Sequence, residues 1–256
     1  MKYAISDLHG RYDRYEKVLE RITEKDELFV LGDCIDRGKD GVKILLDIQK
    51  RDNVHLIMGN HEDLLLNALA PYVLGNNTLF ETEYSDEFDL WLYNGGGTTY
   101  KELEQQGLIK PIFKYLYEDI NLYAITEVNG EKIYLGHASV LDCYKDFQGS
   151  IKEYFEQDLP EEDYRASIWD SPFKQIMGMN YDFDKYVFGH KFVQQFGTNK
   201  MYVKDNMYDI DGGCAIGTQY KNSVILLCLD TMKPEYIYAS EEEKNLKSYN
   251  RYGLCE

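Results

Sequence analysis

The sequence predicts an α/β fold in which two β-sheets pack face to face with helices outside. Three observations predict it. Short apolar runs alternate with amphipathic stretches over residues 3–58, a mainly helical pattern follows to about 118, and further short apolar runs punctuated by turn residues fill the second half.

Taken in order, 3–6, 28–31 and 54–58 read as strands, separated by amphipathic stretches near 11–24 and 40–51. From 61 to about 118 the pattern is helical, broken at Gly95-Gly96-Gly97. Residues 122–128 and 132–135 flank Asn129-Gly130 and predict a hairpin. Later strands are expected at 186–188, 201–203, 224–229 and 236–238, and no internal repeat is present. A length of 256 residues suffices for one large core, so a single domain is expected over 1–256, with the charged stretch 241–256 as a peripheral tail.

Composition narrows the function. No apolar run approaches the roughly 20 residues of a membrane helix, and the opening residues are interrupted by charge too early for a secretory segment, so a cytoplasmic protein without a membrane partner is expected. The net charge of −17 argues against nucleic acid, which is bound by clustered Lys and Arg. Five cysteines (Cys34, Cys143, Cys214, Cys228, Cys255) form no CxxC pair, so neither a disulfide framework nor a zinc knuckle is expected. Cys34 reads as a small buried side chain, and His55 as a core or sheet-surface residue. The twenty-three tyrosines read mostly as strand and core residues.

The informative pattern is positional. Asp7-Leu8-His9-Gly10 follows the first expected strand, Gly32-Asp33-Cys34-Ile35-Asp36-Arg37-Gly38 the second, and Gly59-Asn60-His61-Glu62 the third; Gly136-His137 and Gly189-His190 repeat the device. In α/β sheets, sites form where the carboxyl ends of strands meet, so these scattered residues should converge. Carboxylate, imidazole and amide oxygen without thiolate suit Mn, Fe or Zn. Such a set also argues against a closed structural metal site, which is usually a cysteine-rich tetrahedron. Gly95-Gly96-Gly97-Thr98 lacks the Lys of a phosphate-binding loop and reads as a flexible connection.

The segments at 6–10, 32–38 and 59–62 resemble the GDxHG, GDxxDRG and GNHE motifs of the phosphoprotein phosphatase family within the calcineurin-like metallophosphoesterases, in order and spacing. Trp91-Leu92-Tyr93-Asn94-Gly95-Gly96-Gly97-Thr98 resembles a segment of lambda-phage-type phosphatases and of symmetrical diadenosine tetraphosphate hydrolases, and Asp211-Gly212-Gly213-Cys214-Ala215 resembles their closing turn. The resemblance implies two divalent metal ions, Mn foremost, with Asp7 and His9 on one, Asn60, His137 and His190 on the other, and Asp33 bridging. It implies His61 as the acid for the leaving oxygen, Asp36 as the partner fixing its tautomer, and Arg37 as a phosphate clamp. Two cations about 3.5–4 Å apart would share a water, lower its pKa and support in-line displacement of a phosphate ester.

Two positions depart from the pattern. Ser6 stands where the first motif has Gly, with no expected effect on chemistry. Asp170, after Trp169, stands where lambda-type enzymes carry a second phosphate-binding Arg; Arg165 is the candidate substitute, against the plainer reading of a helix-face charge. The expected substrate is a phosphoserine or phosphothreonine protein, because symmetrical dinucleotide hydrolases usually lack the Asp36-Arg37 pair and often end the third motif in Asp rather than Glu62. Dinucleoside polyphosphate hydrolysis is the alternative. A non-catalytic scaffold is disfavoured, since all six ligand positions are kept.

Overall fold

A computed structural model describes residues 1–75, 87–171, 182–217 and 219–248. The first strands and helices follow the expected alternation: β1 (Lys2–Ile5), α1 (Tyr12–Leu19), β2 (Glu27–Leu31), α2 (Gly41–Ile48), β3 (Val54–Ile57) and α3 (Asn60–Val73). The helical region continues through α4 (Glu87–Trp91), a wide turn at Leu92–Gly96, α5 (Gly97–Gln106) and α6 (Ile109–Glu118). The hairpin forms as β4 (Ala124–Val128) and β5 (Glu131–Leu135), and is followed by α7 (Ile151–Glu156) and α8 (Glu161–Trp169). The remainder comprises β6 (Lys185–Phe188), β7 (Tyr202–Lys204), β8 (Met207–Asp209), β9 (Tyr220–Lys221), β10 (Val224–Cys228), β11 (Lys233–Ile237), α9 (Glu241–Lys244) and β12 (Lys247–Ser248).

Two five-stranded sheets result, ordered β11-β10-β1-β2-β3 and β4-β5-β6-β8-β7. Within them β1, β2 and β3 run parallel, as do β5, β6 and β8; β10 runs antiparallel to both β1 and β11, and the edge strands β4 and β7 run antiparallel to β5 and β8. Alternation along each strand sorts its side chains. Ala4, Phe29, Leu31, Ile57, Ile225 and Leu227 of the first sheet meet Val128, Ile133, Leu135 and Val187 of the second in one dry cluster. The opposite faces are covered by helices: Leu28, Val30 and Leu56 pack with Tyr15, Val18, Leu45 and Leu65, and Tyr134, Tyr186 and Phe188 with Tyr154 and Tyr164. This is the expected sandwich with helices outside.

Several elements differ from the sequence reading. Strand β8 and the short β9–β12 pair carry too few apolar residues to show periodicity, and β11 starts three residues earlier than expected. The Gly95-Gly96-Gly97 stretch is not a flexible connection. It is a kink between α4 and α5, with Gly95 at a non-helical φ of 103° and Gly96 so close to the Trp91 indole that a β-carbon there would overlap it. His55 is on edge strand β3, its ring 5.1 Å from that of Phe29 and 40% of its side chain exposed. Among the described residues, no helix is long and apolar enough to cross a membrane.

Candidate metal centre and catalytic residues

The carboxyl ends of β1, β2 and β3 and those of β5, β6 and β8 open onto the same rim of the sandwich. Asp7 and His9 leave β1, Asp33, Asp36 and Arg37 leave β2, Asn60 and His61 begin α3 directly after β3, His137 follows β5 and His190 follows β6. The turns there are tight. Asp7, His9, Asp33, Asp36, Arg37 and His190 all adopt φ between 44° and 67°, a region that non-glycine residues enter at a cost and that clusters at functional sites.

Asp33 lies at the centre. Its Oδ2 is 3.6 Å from His9 Nε2 and 3.9 Å from His61 Nε2, and its Oδ1 is 3.5 Å from His137 Nε2. One group of possible ligand atoms comprises His9, Asp33 and His61, and a second comprises Asp33, His137 and His190. Asp33 thus belongs to both. Asn60 Oδ1 sits 2.9 Å from both His137 Nε2 and His190 Nδ1. Asp7 Oδ1 is 3.9 Å from His9 Nε2, while its Oδ2 accepts from the backbone N–H of His190. All six expected ligand residues therefore converge.

The outer contacts fit this donor set to divalent cations. His9 Nδ1 faces the carbonyl of Ile35 at 3.1 Å, His137 Nδ1 that of Leu31 at 2.7 Å, and His190 Nε2 that of Trp169 at 2.9 Å. For His9 and His137, a ring nitrogen donating to a carbonyl leaves the other unprotonated and aimed inward, the usual arrangement of an imidazole ligand, while His190 Nε2 also faces Lys191 Nζ at 2.8 Å. Burial lowers the pKa of His9, helped by the charges of Arg37 and His61; burial also lowers that of His190, helped by His137 and Lys191. Burial pushes Asp7 upward, whereas Asp33 is held low because His137, His61 and His9 outweigh its burial.

His61 stands apart. Burial opposes its charge, yet the charge of Asp33 and the hydrogen bond and charge of Asp36 raise its pKa overall. Its Nδ1 is 2.7 Å from Asp36 Oδ2, and Asp36 is wholly buried. Arg37 is placed differently from a bare phosphate clamp. Its fork spans the two imidazoles, donating to Nε2 of His9 and of His61 at 2.9 Å each. Arg165 is a half-exposed residue of α8, paired with Glu161 at 2.6 Å, with its charge acting on buried Asp63.

The sequence reading gave no role to several residues that build the site. Glu62 accepts from the backbone N–H of Asp33 and of Cys34, each at 2.8 Å, and so holds the turn that carries the shared carboxylate. Its place in the third motif was the available signal. Asp63, fully buried, accepts from Tyr164 (2.7 Å), Asn67 (3.0 Å) and Trp169 (3.4 Å), tying α8 to α3 and fixing the carbonyl behind His190. Cys34 is fully buried and its thiol pKa is pushed up by burial, in keeping with an inert small side chain.

Residues 3–195 match the family described as calcineurin-like phosphoesterase. The chain is 34% identical over 90 residues to a Buchnera aphidicola subsp. Acyrthosiphon pisum (strain 5A) protein named bis(5'-nucleosyl)-tetraphosphatase, symmetrical, covering 34% of this chain and 31% of that one. A protein of the same name from Erwinia tasmaniensis is 33% identical over 102 residues, 35% of this chain and 36% of that one. A Caenorhabditis elegans protein provisionally named a serine/threonine-protein phosphatase is 30% identical over 95 residues, 34% of this chain and 24% of that one. These matches span about a third or less of the relatives' length. Among solved structures, a metallophosphoesterase from Sphaerobacter thermophilus aligns with TM-score 0.50 at 13% identity, over 93% of this chain and 89% of that one. A protein provisionally titled a diadenosine tetraphosphatase aligns with TM-score 0.52 at 12% identity, over 92% of both chains. These two likenesses concern the fold.

Proposed function

The chain belongs to the calcineurin-like phosphoesterase family, and from that premise we propose that it is a two-metal phosphomonoesterase acting on phosphoserine and phosphothreonine in proteins. Asp7 and His9 would hold one cation and Asn60, His137 and His190 the other, with Asp33 within reach of both. A pair of divalent cations, Mn foremost, supplies Lewis acidity and lowers the pKa of bound water. The remaining chemistry belongs to side chains. Arg37 turns from the imidazoles to grip phosphate oxygens with its planar fork, and His61 gives the Nε2 proton to the departing oxygen as the phosphorus–oxygen bond breaks.

The observation that carries the substrate class is the 2.7 Å contact between His61 and buried Asp36. A serine or threonine alkoxide is a poor leaving group and needs a proton during departure. A nucleoside diphosphate leaves from an anhydride as a stable anion and needs none. An acid built this firmly supports an ester of an alcohol.

Dinucleoside polyphosphate hydrolysis is the second reading, supported by the names of the Buchnera and Erwinia relatives. A cleft of about 290 Å³ beside His9 offers room for a longer substrate; Arg37 and Lys39 line it together with Asp13 and Asp40, and Arg11 is paired there with Asp13 at 3.0 Å. The deciding assay compares the Mn-loaded protein on a phosphothreonine peptide and on diadenosine tetraphosphate, with an EDTA-treated control. Peptide turnover abolished by chelation supports the phosphatase. Preferential symmetrical cleavage of the dinucleotide to ADP overturns it.

A further inference from the structure

The loop that carries Asp36 and Arg37 is gripped along its length by the turn between α4 and α5. Trp91 Nε1 donates to Asp36 Oδ2 at 2.9 Å, and the Thr99 hydroxyl donates to Oδ1 at 2.7 Å. Both oxygens of the carboxylate thus have a donor besides His61. The backbone N–H of Asp36 points at the same Thr99 oxygen (3.0 Å), the N–H of Arg37 donates to Gly95 O (3.0 Å), and the Thr98 hydroxyl donates to Gly38 O (2.9 Å). Asp36 and Arg37 are consecutive left-handed residues, at φ 67° and 63°, a conformation that persists only where the surroundings enforce it. Trp91 and Thr99 are fully buried, and Phe88 and Tyr100 meet the indole edge to face at 6.0 and 6.3 Å. The indole and the hydroxyl are therefore fixed donors.

We propose that Trp91 and Thr99 are positioning residues for proton delivery: by fixing both oxygens of Asp36 they keep Oδ2 on His61 Nδ1, so that the proton to be given stands on Nε2, toward the phosphate. This rests on the acid role of His61 stated above. In the step, a water oxygen bonds to phosphorus and gives up a proton to solvent as the ester phosphorus–oxygen bond breaks with its electron pair on the leaving oxygen; that oxygen takes the Nε2 proton of the imidazolium, and the imidazole is left neutral with Nδ1–H still on Asp36. Without the two donors the carboxylate turns about its own axis, and the imidazole loses its fixed direction. Precision of this kind governs transfer and leaves phosphate binding by Arg37 largely untouched. The dependence grows with the basicity of the leaving group.

The test compares Thr99→Val, Trp91→Phe and Thr99→Ser with the parent enzyme, all Mn-loaded, on a phosphoserine peptide and on p-nitrophenyl phosphate. The Thr99→Val change is also made in a His61→Ala background. Expected for Thr99→Val is a fall in peptide kcat of about 10- to 100-fold, at most the low end of the range for acid catalysis because the acid itself is kept. KM is expected to change less than about twofold and the aryl phosphate rate less than about threefold, with Thr99→Ser restoring the peptide rate. In the His61→Ala background Thr99→Val should cost nothing further, because residues acting through one another are not additive. Equal losses on both substrates, or a loss that persists without His61, overturn the proposal. If Trp91→Phe fails to fold, the Thr99 pair decides alone. A His61→Ala enzyme with full peptide turnover overturns the acid assignment itself, whereas loss in His61→Ala with none in Thr99→Val overturns only the positioning role.

Discussion

Replacing Tyr164 with Phe removes a single oxygen from a fully buried contact. That hydroxyl donates to Asp63 Oδ1 at 2.7 Å, beside the Asn67 amide on the same oxygen and the Trp169 indole on the other. A hydrogen bond to a charged group contributes about 1.5–3 kcal/mol. In a chain of this size each kcal/mol moves Tm by about 2–4 °C, so a fall of about 3–12 °C is expected at pH 8. The cost should be smaller at pH 5. Burial raises Asp63 from 3.8 to about 6, so at pH 5 the carboxyl is mostly protonated and the bond joins neutral groups, worth about 1 kcal/mol. A folded pKa above the unfolded one gives stability that is complete below 3.8 and is lost as pH rises through about 6. The Tyr164 hydroxyl limits that loss by favouring the ionised carboxylate, so its removal deepens the loss on the alkaline side. Calorimetric scans at the two pH values measure this. Equal shifts at both, or a shift under about 1 °C at pH 8, would refute the account of Asp63 as a buried carboxylate steadied by Tyr164.

Three further outcomes are expected. Asp33→Asn removes the charge common to both ligand groups, so metal analysis of the purified protein should fall from two ions to one or fewer, with turnover lost. Chelation should lower Tm: at ion concentrations about 100 times Kd each site contributes about 2.7 kcal/mol, and an unchanged melting curve after EDTA would count against the cage. Gly96→Ala drives a methyl into the Trp91 indole. Overpacking of this kind costs about 1–3 kcal/mol, measurable by urea unfolding, and peptide turnover should fall because the indole is displaced from Asp36.

The residues at the rim were legible because their chemistry is unusual for their place: a carboxylate, amide or imidazole immediately after an apolar run is conspicuous in a sequence. The fold class was legible for a related reason, since β1, β2, β3 and β6 are short apolar runs set between amphipathic or turn segments, and β1, β2 and β6 are buried almost end to end. The supports were not legible. Trp91 and Thr99 are ordinary core and helix residues by type, and only the turn at Leu92–Gly96 brings them 55 and 63 positions back to Asp36. Three consecutive glycines suggest freedom, and nothing local reveals that Gly96 makes room for an indole. Asp63 is read from sequence as an acidic residue in a first helical turn, and its burial depends on Tyr164 and Trp169, about a hundred residues later. Arg37 was identified by its motif, but its rest position across two imidazoles depends on charge balance in space.

The parallel strands give the sandwich two unlike ends. Every strand that delivers a ligand finishes at one rim, so the other rim collects only the returns: the Asn129-Gly130 turn before β5, Asp205-Asn206 before β8, and the turn after β10, where Asn129 reaches the carbonyl of Asp230 at 2.9 Å. One rim gathers the candidate site and the other only joins strands. A tag, an inserted domain or new chain termini placed at Asn129-Gly130 would lengthen a join that no ligand depends on. Conversely, the six candidate ligand residues run from Asp7 to His190 and draw on both sheets, so a fragment that holds them all must span at least those residues. The far rim is thus the place for an extension, and neither sheet alone holds the candidate site.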